Sequence, residues 1–134
     1  MLKRDSLTAQ MQQLSHTLAK VKRLIVEEQE PQALSVLHEV LGEYFGTNIT
    51  DLLETPTRLF LQQFKREELK PEELGLLADF LDELASITDD PQEKRAIWEK
   101  VVFLYDTLEQ EHKVVLFAHI ARRSAILAQL DDKS

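Results

Sequence analysis

Cysteine is absent from this chain. That excludes a disulfide framework, thiolate metal sites and cysteine nucleophiles together, and it suits a reducing cytoplasm, the compartment expected here. Glycine and proline are scarce, three and four among 134 residues. A sheet protein needs more turn residues than that, whereas long stretches of Leu, Ala, Glu, Gln and Lys favour helix. No apolar run approaches the roughly 18 residues of a membrane span. The opening Met1-Leu2-Lys3-Arg4-Asp5 has two cations but no apolar segment behind them, since polar residues separate Leu7, Met11 and Leu14. It does not read as a signal peptide. Positive charge is also in deficit. A formal net charge of −8 argues against a dedicated nucleic-acid binder, because phosphate attraction needs a positive field.

What is present is amphipathic helix. A 43% hydrophobic and 30% charged composition fits one folded domain spanning residues 1–134. Leu7, Met11, Leu14, Leu18, Val21 and Ile25 alternate at spacings of four and three, an apolar seam with Asp5 or Ser6 as its cap. A connection of about five residues leads to a second helix, with Pro31 in its first turn and Gly46 as its stop. Its apolar face is Leu34, Leu37, Leu41, Tyr44 and Phe45. These make a first hairpin, residues 6–46. Asn48 caps a short turn, and Thr55-Pro56 opens another helix with Leu59, Phe60 and Phe64 inward, giving spacer helices over 48–66. A second hairpin, 71–109, starts at Pro71 with Leu74, Leu77, Leu81 and Leu84 along one stripe. It turns at Asp90-Pro91-Gln92-Glu93, an Asp cap with Pro at the first helical position and Glu at the third. A closing helix, 113–130, carries Leu116, Phe117, Ile120, Leu127 and Leu130 as its apolar face, and Asp131 onwards reads as a polar tail. The expected fold class is all-α, antiparallel helical hairpins in about six helices, a tetratricopeptide-like array or a small bundle.

A 60-residue offset superposes Pro31 on Pro91, Leu37 on Ile97, Leu41 on Val101 and Phe45 on Tyr105, with Leu14 on Leu74, Val21 on Leu81 and Leu24 on Leu84. Two hairpins of equal length match partly by chance, so duplication stays open beside coincidence.

Leu76-Leu77-Ala78-Asp79-Phe80, the Ile87-Thr88-Asp89-Asp90-Pro91 turn and Trp98-Glu99-Lys100-Val101-Val102 together resemble a degenerate tetratricopeptide repeat. The departures are Arg95-Ala96 at the helix crossing, a turn without glycine, and an offset far from that repeat's period of about 34 residues. Taken whole, the opening helix, Leu41-Gly42-Glu43-Tyr44-Phe45-Gly46, Leu52-Leu53 and Pro71-Glu72-Glu73-Leu74-Gly75-Leu76-Leu77-Ala78 are similar to a family of uncharacterised bacterial proteins with a tetratricopeptide-like helical fold. The resemblance implies a fold and no site residues.

Several clusters bear on function. Glu109-x-x-His112 is one copy of a motif that di-iron bundles need twice, and it sits at a loop, so it reads as a solvated turn. No metal or other cofactor is expected. Asp79, Asp82 and Glu83 share one helical face; they read as a solvated acidic surface, with a basic partner peptide or a hard cation as alternatives. The first 23 residues hold five cations, among them Lys20, Lys22 and Arg23, and one Asp, for a net +4; residues 24–54 hold seven acids and no Lys or Arg. That split could favour self-association, while a plain C-terminal helix charge preference, the favoured reading, also explains the three cations. His119, Arg122 and Arg123 form a patch suited to an anion or to plain surface. The fifth helix is apolar nearly all round, so Phe103 should be covered by the final helix or by a second subunit. No Gly-x-Ser-x-Gly elbow or glycine-rich phosphate loop occurs. The favoured function is a non-enzymatic module binding a protein partner or a second copy as a homodimer. A small-molecule or lipid carrier is the alternative, and a hydrolase-type enzyme ranks third.

Overall fold

The structure, a computed structural model, describes residues 2–63 and 69–131, with the backbone alone for residues 2–7 and Gln63. Among these residues every regular element is helical: α1 (Leu2–Val26), α2 (Glu30–Glu39) continued by a π-helical turn (Val40–Tyr44), α3 (Ile49–Glu54), a 3-10 segment (Thr57–Gln63), α4 (Pro71–Ser86), α5 (Pro91–His112) and α6 (Phe117–Asp131). The all-α class and the helix number are as expected. α1 pairs with α2, α4 pairs most extensively with α5, and α1 also lies against α4, joining the two hairpins. No helix among the described residues is long and apolar enough to cross a membrane.

The turns follow from local chemistry. Asn48 accepts from the Asp51 amide at 2.8 Å and starts α3. Asp90 accepts from the Gln92 amide at 2.9 Å and starts α5, with Pro91 in its first turn. Gly46, at φ +69°, takes the left-handed conformation that a residue with a Cβ adopts only at a cost. α1 departs from expectation at both ends. Asp5 and Ser6 lie inside the helix rather than capping it. The reversal into α2 takes three residues, closed by Gln29 N–H to Leu24 O at 2.8 Å and Glu28 N–H to Ile25 O at 3.0 Å. This paired arrangement places Glu28, at φ 62°, where glycine is usual. The α4 start is held by Glu73, whose Oε1 accepts the Lys70 amide at 2.9 Å and whose Oε2 accepts the Tyr44 hydroxyl at 2.8 Å. One buried carboxylate thus ties the end of the first hairpin to the start of the second.

Leu74, Leu77, Leu81 and Leu84 of α4 are buried against Ile97, Val101 and Leu104 of α5. Each fully buried side chain of this size is worth about 1.5–3 kcal/mol relative to exposure. All the apolar pairs at the 60-residue offset, Leu14/Leu74 through Phe45/Tyr105, have both members buried. The two hairpins therefore turn the same sequence positions inward.

Two further expectations fail, and a third fails in part. Leu34, placed on the inner face of α2, is exposed. The closing helix starts at Phe117, not Lys113, and extends through Asp131; Leu116, Phe117 and Ile120 point to solvent. Phe103 is half-buried, and the ring that meets it comes from the spacer rather than from α6: Phe60 packs on it edge-to-face, ring centroids 6.5 Å apart. The 3-10 segment thus supplies the plug, with Phe60 wholly buried. The Leu7 and Phe64 side chains and residues 132–134 lie outside the described residues.

Candidate interaction surface

Two clusters nominated separately in the sequence, the α4 carboxylates and the α6 cations, meet one another. Along α6, His119, Arg122 and Arg123 lie three and four residues apart, on the stripe that faces α4 and α5. Arg122 donates from Nη2 to Asp82 Oδ1 at 2.8 Å and from Nε to Oδ2. Trp98 of α5 donates to the same Oδ1 at 3.3 Å. His119 Nε2 stands 3.5 Å from Asp79 Oδ1, and its ring stacks on Tyr105 at 4.4 Å. Arg123 Nε reaches Asp106 of α5 at 2.7 Å. At the far end Arg95 Nη1 donates to the Leu130 carbonyl at 2.7 Å, a cation at a helix C-terminus. The expected solvated acidic face is thus a receptor for α6, and the expected anion patch has carboxylates as its anions. Glu83 turns the other way, to Lys22 of α1 at 3.3 Å. Lys20 and Arg23 are exposed.

Burial acts on this cluster. Desolvation raises the Asp79 carboxyl above its ordinary range, against the opposing pull of His119 and Lys22 and with a further push from Asp82. The Tyr105 phenol is raised by burial and by the nearby Asp79 and Asp82. Gly75 of α4 sits under His119: a Cβ there would lie 3.6 Å from His119 Cε1.

α6 is otherwise lightly anchored. Ile126 and Leu130 are its buried apolar residues, both in its second half. Apolar side chains of its first half and of the segment before it are instead exposed: Phe117 is 92% exposed, Val115 54%, Leu116 50% and Ile120 48%. Four large apolar side chains within six residues form a cap at the α5–α6 corner. Periodicity alone would have paired them with a core.

Among the described residues no group of three His, Asp or Glu side chains is placed to hold a metal ion. Beside α6 a half-open cleft of about 240 Å³ is lined by Lys94, Arg95, Trp98 and Leu130. Small-molecule sites commonly hold about 300–1,000 Å³ in apolar enclosure. A wider hollow of about 540 Å³ beside α1, open to solvent, is lined by Thr8, Gln12, Ser15, His16, Glu72 and Met11.

Compared with known proteins, the chain matches no family model, no curated protein and no solved structure.

Proposed function

We propose that this chain is a non-enzymatic protein-interaction module, a tetratricopeptide-like helical array that pairs with a second copy of itself. The observation that carries the reading is the apolar cap, with Phe117 92% exposed beside Val115, Leu116 and Ile120. Isolated exposed apolar residues are ordinary, but a contiguous patch of large ones marks a contact surface. The polar residues most suggestive of chemistry are already engaged with one another across α4, α5 and α6, which favours binding over catalysis. The carrier reading finds weaker support, because the clefts beside α6 and α1 are open to solvent rather than enclosed.

Sedimentation across a concentration series tests the proposal. The chain should shift from monomer to dimer with rising concentration, and Leu116→Ser with Phe117→Ser should weaken that shift at least tenfold without altering helicity. A strict monomer throughout the series would overturn it.

A further inference from the structure

The α5–α6 corner is a helix break without helix-breaking residues. Lys113-Val114-Val115-Leu116 contains no glycine or proline, yet the chain reverses there, closed by Val114 N–H to Leu108 O at 2.9 Å and Lys113 Nζ to Gln110 O at 3.1 Å. The reversal puts Lys113, a non-glycine residue, in the left-handed conformation at φ 59°. Backbone of that kind is strained for a residue with a Cβ. The first intrahelical bond of α6, Ile120 N–H to Leu116 O at 3.0 Å, sets leucine in the cap position, among the poorest choices for it. If the corner straightened into continuous helix, the amides opening α6 would bond to carbonyls at the end of α5, and the Leu108 and Gln110 carbonyls would exchange their present donors for helical ones.

The interactions beyond the corner are self-contained. His119, Arg122, Arg123 and the Leu130 carbonyl each meet a partner on α4 or α5. They would form identically on the α4–α5 face of another copy. The apolar residues unsatisfied in the closed chain, Leu116, Phe117 and Ile120, lie within five residues around the corner itself. A straightened corner would bring them together where two crossing chains meet.

We infer that the second copy is bound by exchange: α6 of each chain docks on the Asp79, Asp82 and Asp106 face of its partner, with the straightened corners packed against each other through the apolar cap. Exchange of an identical element costs little, because the ion pairs and packing broken within one chain form again between two. The inference rests on self-association as proposed for this chain.

Charge reversal distinguishes exchange from surface pairing. In Asp82→Arg the α6 site holds two cations, and in Arg122→Asp it holds two carboxylates. In an exchanged heterodimer of the two chains each α6 site regains an Arg–Asp pair, one in the native polarity and one reversed, whereas a dimer with α6 kept at home regains neither. The two variants are refolded together from denaturant and compared with each alone, and with Asp82→Arg/Arg122→Asp in a single chain as the folded control. Exchange predicts a mixture of dimeric mass that melts several degrees above either variant alone. Lys113→Gly, which relaxes the closed corner, should weaken wild-type dimerisation about fivefold or more. A wild-type dimer whose mixed variants gain nothing, while the control folds, overturns exchange and leaves surface pairing standing. A wild-type monomer at all concentrations overturns both.

Discussion

Arg122 and Asp82, 40 residues apart in sequence, form a two-point ion pair that fixes α6 to α4. The Asp82 side chain is 13% exposed and that of Arg122 41%. Arg122→Ala would leave a mostly buried carboxylate with Trp98 as its remaining donor. Discounted for the solvent that reaches the guanidinium, the loss should be about 1–2 kcal/mol. The double variant Asp82→Ala/Arg122→Ala should cost less than the two single changes summed, because neither charge is then stranded. Urea unfolding measures all three, and strict additivity would show that the pair is uncoupled.

Asp79 supplies a pH dependence. Its carboxyl is raised in the folded state, chiefly by burial, with Asp82 adding to the rise while His119 and Lys22 oppose it. A raised carboxyl contributes stability that is complete below its unfolded value, about 3.9. That contribution is lost as pH climbs through the folded value. Asp79→Asn removes the titration. Wild type should therefore lose stability relative to Asp79→Asn as pH rises from about 4 towards neutrality. Chemical unfolding at a series of pH values reads the difference directly. A difference that moved the opposite way would mean that His119 outweighs burial.

Gly75 lies within α4, where glycine costs about 0.5–1 kcal/mol relative to alanine. A Cβ there would meet His119 Cε1 at 3.6 Å and Leu108 Cδ1 at 3.9 Å, both ordinary van der Waals separations. Gly75→Ala should raise stability by about that amount. Gly75→Leu should instead force α6 away, which amide exchange along α6 would register as reduced protection.

Lys100 is buried, 3% exposed, with its ammonium 5.9 Å from the centre of the Phe60 ring. Burial lowers its pKa, so its contribution to stability is present above the unfolded lysine value and lost as pH falls through the folded one. At neutral pH the charge is a cost. Lys100→Met keeps the stem and a soft approach to Phe60, and should stabilise by about 1 kcal/mol in thermal or urea unfolding.

The sequence was most informative where one element dictates its own geometry. The Leu74–Leu84 stripe, the Asn48 and Asp90 caps and the Gly46 stop depend on periodicity and neighbouring backbone, and each stands where expected. It was least informative where meaning depends on a distant partner. Asp82 and Arg122 read separately as surface patches because nothing local links residues 40 apart. Leu116, Phe117 and Ile120 read as core because an apolar stripe requires cover without saying who supplies it. Phe103 gained its cover from Phe60, in a spacer whose irregular sequence advertised no such role. Glu28 and Lys113 hid their reversals by lacking glycine.

The indole of Trp98 donates to the carboxylate that holds Arg122, and it is the chain's only tryptophan. The chain therefore carries its own optical probe at the joint between α4, α5 and α6. Undocking of α6 changes the hydrogen bond, charge and solvent around one fluorophore. Emission from unlabelled protein can then time the opening and closing of that joint, apart from the melting of the hairpins beneath it.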